Sequence, residues 1–553
     1  MTFTGRDRHN RAMKSPILSC AMVLTFSGAL NAVYADSATW SLNPISKDWN
    51  TAANWMPPTV PNGSADTATF GVSNVLDPRL RFRHEAVEVN GIVFTPDASA
   101  FTIVLNHASL LITGSGVSNN SGVVQNFFAG AGAVNFYGTA SAGSLTVYTN
   151  GGGTQSDVPG GVVNFSDDAT ADDATFINLR PNGGLFGGET VFFDNSSIGN
   201  ATVINDGGAD TTVFSAAVGG NPTIVNNASM VAEDDGGSTL FYGGGPGNGT
   251  VTCNGSALPE THSSGAVHFN VHSTAGNATL IANGGVAGGV GGLIQFTGSS
   301  MGATSRVEVF GNGTLDISEH DLPNVRVGSL EGDGLVFLGP VKLVVGSNGL
   351  STTFSGVIED TGELTKLGNG TLTLSGANTY TGGTTVSDGV LLVSNRSGSG
   401  TGTGAVQVDA GTLGGRGIIS GAVTVGTGSG TGAFLSPSEE ALKQLTLTIQ
   451  SALTFKADGT YTYRLNTRKT KADKIIADGV TIEAGATFAF VGIGNRALTP
   501  GTVFTAISNT SANPISGTFS NLADGSVFTA NGNNFEASYE GGDGNDLTLT
   551  VVP

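Results

Sequence analysis

The chain has 553 residues, a formal net charge of −20, 85 glycines, 12% charged residues and 39% hydrophobic residues. Its charged fraction is about half that of an ordinary globular domain, yet its apolar residues come as short β-branched runs broken by Gly and Asn, unlike a solvated disordered tail. These values exclude a helix-rich fold and a basic nucleic-acid-binding domain, and leave an all-β protein of many short strands.

The chain opens with the pattern of a secretory leader. Arg6, Arg8, Arg11 and Lys14 form a basic segment, Ile17 to Leu30 is mostly apolar, and Val33-Tyr34-Ala35 supplies the small residues that precede a cleavage site. Met13 offers a second start and a more compact leader. The apolar run is too short to span a bilayer, and no later run is long enough. Cys20 follows Ile17-Leu18-Ser19, as in a lipoprotein site, but comes too early in the apolar run. Cleavage after Ala35 leaves 19 basic against 42 acidic residues, a charge near −23, and one cysteine, Cys253. No internal disulfide is then possible, so stability must come from stacking.

Residues 36–130 read as an N-terminal cap with the first coils. Trp40, Trp49 and Trp55 cluster there, as expected of a cap over an exposed first coil; aromatic stacking on sugars is the alternative.

Residues 131–320 carry an internal repeat. Phe136, Phe165, Phe193, Phe214, Phe241, Phe269 and Phe296 recur at spacings of 29, 28, 21, 27, 28 and 27. Asn150, Asn178, Asn205, Asn226, Asn254, Asn283 and Asn312 recur beside them at 28, 27, 21, 28, 29 and 29. Both series shorten at the same step. A strand-rich period of this length predicts a solenoid in which each repeat is one coil. Phe should point inward and stack on its copies, while Asn, with Gly151, Gly255, Gly284 and Gly313 after it, should take corners that need left-handed backbone. With coils about 4.8 Å apart, the rod should be on the order of 70–90 Å long.

Residues 321–435 continue the solenoid, and from Leu364 the strands become denser: Leu364-Thr365-Lys366, then Gly368-Asn369-Gly370-Thr371-Leu372-Thr373-Leu374-Ser375-Gly376, then Asn378-Thr379-Tyr380-Thr381-Gly382-Gly383-Thr384 and Val390-Leu391-Leu392-Val393. This segment, 364–393, resembles the passenger-associated transport repeat, or autotransporter-associated β-strand repeat, of autotransporter passengers. In weaker form the resemblance extends through Val327 to Gly334 and the Trp49-to-Trp55 region. It implies a right-handed parallel β-helix exported across the inner membrane and often displayed at the cell surface. Residues 436–553 read as further β-rich coils. No translocator barrel is visible before Pro553, so surface display is expected to need a separate outer-membrane exporter.

Candidate chemistry is sparse. Gly541-Gly542-Asp543-Gly544-Asn545-Asp546-Leu547-Thr548-Leu549 resembles a calcium-binding nonapeptide, but a lone copy gives an incomplete oxygen shell and Thr548 stands where an apolar residue belongs. Asp167-Asp168, Asp172-Asp173 and Glu233-Asp234-Asp235 are acidic clusters with only Arg180 nearby, better read as solvated turns than as glycosidase carboxylates. His268 and His272 should share a strand face, roughly 13 Å apart and too far for one zinc ion. Cys253 reads as a packed small residue. There is no phosphate loop, nucleophile elbow or paired Cys motif. The sequence therefore assigns no catalytic, cofactor-binding or metal-ligating residue and no cofactor. It points to a secreted, surface or periplasmic β-helix, adhesin-like or structural, whose partner is a surface glycan or extracellular matrix. A polysaccharide-active lyase or glycosidase, and a passenger remnant without its own function, stay open as alternatives.

Overall fold

In the strand Val162–Phe165, Val163 and Phe165 are buried while Val162 and Asn164 face outward, the two-residue alternation that lets a short strand feed one core. The same alternation recurs in Ala133–Phe136, Ser238–Phe241, Ala266–Phe269 and Leu293–Phe296. The computed structural model describes residues 36–553 except 82–85, 156–157, 215–219, 232–234, 259–263, 322 and 439–442. The leader read at residues 1–35, Cys20 included, lies outside the described residues.

Parallel pairing stacks these strands into long ladders. The first runs from Ala38–Trp40 to Val357–Glu359, with Trp55–Met56 paired antiparallel at its head. The second runs from Arg79–Arg81 to Thr487–Ile493. A third, from Asn324–Val327 to Val480–Ile482, joins them later in the chain. Among the described residues the second ladder has nineteen strands, of which Lys471–Ala472 pairs antiparallel, leaving eighteen stacked in parallel. At about 4.8 Å per step that is a rod of about 80 Å. The molecule is a parallel β-solenoid, and its only helical segment among the described residues is a short 3-10 turn at Ala52–Asn54. Coiling begins well before the Phe and Asn series: Ala68 pairs with Ile92, and Ile92 with Val117.

The aromatic core corrects the expected ladder at two steps. Phe136, Phe165 and Phe192 stack at centroid spacings of 4.8 and 4.9 Å, Val213 takes the next place, and Phe241, Phe269 and Phe296 continue at 5.2 and 4.7 Å. Phe193 and Phe214 lie one residue later and therefore on the opposite face. There they stack with Tyr242 on the outside, at 5.5 and 5.2 Å.

The asparagine series is corrected too. Asn150, Asn178, Asn205 and Asn226 are in register and fully buried at strand ends, not in left-handed corners. Each Nδ2 donates to the Oδ1 of the next: Asn150 to Asn178 at 2.7 Å, Asn178 to Asn205 at 2.7 Å, Asn205 to Asn226 at 2.8 Å. The slot then passes to Cys253 and Ala282. Asn254 and Asn283 belong to a second, outer ladder, in which Asn254 donates to Asn227 at 2.9 Å and Asn283 to Asn254 at 3.0 Å. Left-handed corners are filled by Asp167, Asp172, Asp194 and many glycines. Gly255 is needed for a different reason, because a Cβ there would lie 2.4 Å from the Gly284 backbone.

The dense segment forms one tight coil. Phe354 pairs with Leu374 and Leu374 with Val393, so a turn here takes 20 and then 19 residues. Lys366 is buried, and its ammonium donates to the carbonyls of Leu367, Gly368 and Asp388 at 2.8, 2.6 and 3.3 Å. Gly368 and Gly389 take left-handed angles around it, at φ 70° and 65°. Burial pushes the amine down to about 8, opposed by the Asp388 carboxylate. Three donors match three carbonyls. Lys366→Met should therefore lower stability by about 2–4 kcal/mol, through buried carbonyls left unpaired, a loss that a urea titration would read. Asn378 ties neighbouring coils together, accepting from Ile358 N–H at 2.8 Å and donating to the Gly400 carbonyl at 2.6 Å.

Both ends of the rod differ from its middle. Trp40, Trp49 and Trp55 are buried around Phe70, with Trp40–Trp55 and Trp49–Trp55 centroids 5.1 and 4.9 Å apart. They form core, not an exposed sugar-stacking platform. At the other end Val503–Asn509, Asp546–Val552, Asn533–Gly541 and Val527–Ala530 pair antiparallel in that order. Residues 541–546 are the turn of that meander, and the Asp546 carboxylate accepts from Asn509 N–H at 2.9 Å.

Candidate functional site

The acidic pairs singled out in the sequence are turn residues. Asp167 takes a left-handed angle and accepts from Gly138 N–H at 2.9 Å. Asp172 accepts from Ser141 Oγ at 2.9 Å, and Asp173 from Asn200 Nδ2 at 3.1 Å. They bond along the stack and do not converge on a common point. Glu233 and Asp234 lie outside the described residues, and Asp235 is exposed. Cys253 is buried, and burial pushes its thiol up to about 12. Among the described residues, no three His, Cys, Asp or Glu side chains converge as metal ligands.

His268 and His272 do not share a strand face. His268 stands outward on Ala266–Phe269, whereas His272 lies in the following turn at φ 65°. The strand is shorter than its apolar pattern suggested, and the coil turns after Phe269.

The structure instead brings together carboxylates that no motif marked, near His268 on the outward side of the first ladder. Glu189 and Asp210 are register partners on adjacent coils, where like charges repel. Glu189 accepts from Thr212 Oγ1 at 3.1 Å and Asp210 from Ser238 Oγ at 2.5 Å. Two coils beyond Asp210, His268 Nδ1 lies 2.8 Å from Gln295 Oε1, and Gln295 donates to Asp316 at 3.3 Å. Burial, then the Asp210 charge, pushes the Glu189 carboxyl up to about 7. Burial also raises Asp210 and lowers His268. No ion pair among the described residues joins either carboxylate to Arg or Lys.

The fold thus favours the protonated Glu189. Its stability contribution is full below the ordinary carboxyl value of 4.5 and is lost as pH rises through about 7. Glu189→Gln should match the parent at pH 4 and exceed it at pH 8 by on the order of 1–2 kcal/mol, as paired urea titrations would show. In the register of the first ladder, Glu189 and Asp210 each precede an inward position, Phe192 and Val213, by three residues.

A second outward feature lies beside this face. Phe193, Phe214 and Tyr242 form a three-coil aromatic stripe, with Phe214 51% and Tyr242 46% exposed. The core is already filled by Phe192 and Phe241, so these rings are surplus to packing.

The family model of the passenger-associated transport repeat matches residues 364–393, the coil built around Lys366 and Asn378. A 97-residue stretch is 39% identical to the protein named adhesin BmaC autotransporter of Brucella suis biovar 1 (strain 1330), covering 16% of this chain and 3% of that one. The Haemophilus influenzae Hap adhesin crystal structure aligns over 88% of this chain and 64% of its own, at 11% identity and a TM-score of 0.25. The chain therefore spans a small part of its curated relative's length and just under two thirds of the solved one, and its fold rests on the strand registers given above. It is a parallel β-solenoid that carries a passenger-associated transport repeat at residues 364–393 and is similar there to autotransporter passengers.

Proposed function

We propose that the protein is an exported, adhesin-like passenger whose lateral faces contact a surface, matrix or glycan outside the cell. The observation that carries this reading is the Phe193–Phe214–Tyr242 stripe. Soluble proteins rarely leave contiguous large apolar side chains in water unless a partner covers them, and aromatic residues are enriched at binding surfaces. The repeat at 364–393 and the similarity to a protein named as an adhesin support the same reading. Display on the outside requires an outer-membrane translocator. Bacteria lacking the gene should attach less to matrix- or glycan-coated surfaces, and a Phe214→Ala/Tyr242→Ala variant should restore attachment poorly. Full attachment without the protein would contradict the proposal.

A further inference from the structure

A groove of about 570 Å³ crosses the second ladder where its strands turn, a size typical of small-ligand sites. Asn106 ends the strand Thr102–Asn106, Phe128 stands outward on Gln125–Ala129, and Arg180 and Asn182 follow Thr175–Asn178. Thr154 and Asp206 complete the rim. The floor is glycine: a Cβ at Gly152 would lie 1.9 Å from the Arg180 carbonyl oxygen, and one at Gly151 3.1 Å from that of Gly130. Glycine is thus required here by the close approach of neighbouring backbone.

Its walls are chemically mixed. The Phe128 ring is 37% exposed, although its neighbour Phe127 is packed inside. The side chains of Asn106, Thr154, Arg180 and Asn182 make no hydrogen bond or ion pair among the described residues. Elsewhere on the rod, outer asparagines bond to one another along the stack. Asp206 accepts from Asn227 Nδ2 through Oδ1 at 3.2 Å, which leaves Oδ2 for a ligand.

An apolar ring face, amide donors and acceptors, a carboxylate oxygen and one unpaired guanidinium suit a pyranose ring that carries a carboxylate. We propose that this groove binds a uronate unit of an acidic polysaccharide, an assignment that rests on the adhesin reading. The sugar's apolar face lies on Phe128, Arg180 takes the carboxylate in a two-pronged contact, and Asn106, Asn182 and Asp206 take the hydroxyls.

The test uses the exported protein purified from cells and a panel of uronate hexasaccharides from hyaluronan, alginate and polygalacturonate, with neutral cellohexaose for comparison. At least one uronate probe should bind more tightly than cellohexaose. Arg180→Gln should remove that preference, and Phe128→Ala should weaken binding by about tenfold or more. Both positions are exposed, so urea midpoints should stay within error of the parent, and Thr365→Ala on the third ladder should leave binding unchanged. Failure of every uronate probe, or equal binding by the Arg180 and Phe128 variants, would overturn the assignment. Bacteria carrying those variants separate the two claims. If they still attach in a protein-dependent way, the adhesin reading stands while the groove falls; if attachment never depended on the protein, both fall.

Discussion

Asn178→Ala is expected to lower stability by about 3–5 kcal/mol, whereas Asn254→Ala should cost about 1 kcal/mol or less. The two residues come from one recurring series, but they do different work. Asn178 is fully buried; its Oδ1 accepts from Asn150 at 2.7 Å and Thr190 Oγ1 at 3.0 Å, and its Nδ2 donates to Asn205 and to the Asp210 carbonyl. Truncation strands the buried Thr190 hydroxyl and leaves the Asp210 carbonyl without its Asn178 partner. Asn254 bonds only to its neighbours on the outer ladder, where solvent can replace them. Because coils contact only adjacent coils, the Asn178 defect should also loosen its neighbours. Hydrogen exchange in the flanking strands Thr146–Asn150 and Thr202–Asn205 would detect this. Equal urea midpoints for the two variants would contradict the buried asparagine ladder.

The adjacent pair Phe192 and Phe193 gives the second large contrast. Phe192→Ala removes a ring stacked at 4.9 Å on Phe165 in a fully buried column, and should cost about 3–5 kcal/mol. Phe193→Ala removes a partly exposed ring from the outer stripe, and should cost under about 1 kcal/mol. The measurement is again the unfolding midpoint of each single variant. Should Phe193 prove the costly residue, the register of the first ladder would be wrong by one, and every outward group assigned to it would move inside.

Much of the architecture could be read from residue spacing alone. The 28-residue period, its shared 21-residue step, the inward Phe column and the tight repeat near Lys366 all follow from pattern. What spacing does not reveal is which of two adjacent residues faces in. Phe192 and Phe193 are the same type, so recurrence followed the outer member there and at Phe214, and after Asn226 it crossed to the outer Asn254 because Cys253 fills the inner slot. The side chains of Asn150 to Asn226 looked like corner residues because Asn tolerates left-handed angles; their real use, hydrogen bonding along a buried axis, depends on a third dimension. Corners went mostly to Asp and Gly. Glu189 and Asp210 lie three residues before the inward positions Phe192 and Val213, so they could be placed only once that register was known. The Phe128–Arg180 groove was not, since its walls come from several coils and share neither residue type nor period.

The most direct test of the account is protease shaving of intact cells, with an antibody raised against residues 36–553. An outward-facing passenger should lose its signal from whole cells on protease treatment, or appear in the medium. A signal that stays protected in the periplasm until the outer membrane is opened would contradict the adhesin reading.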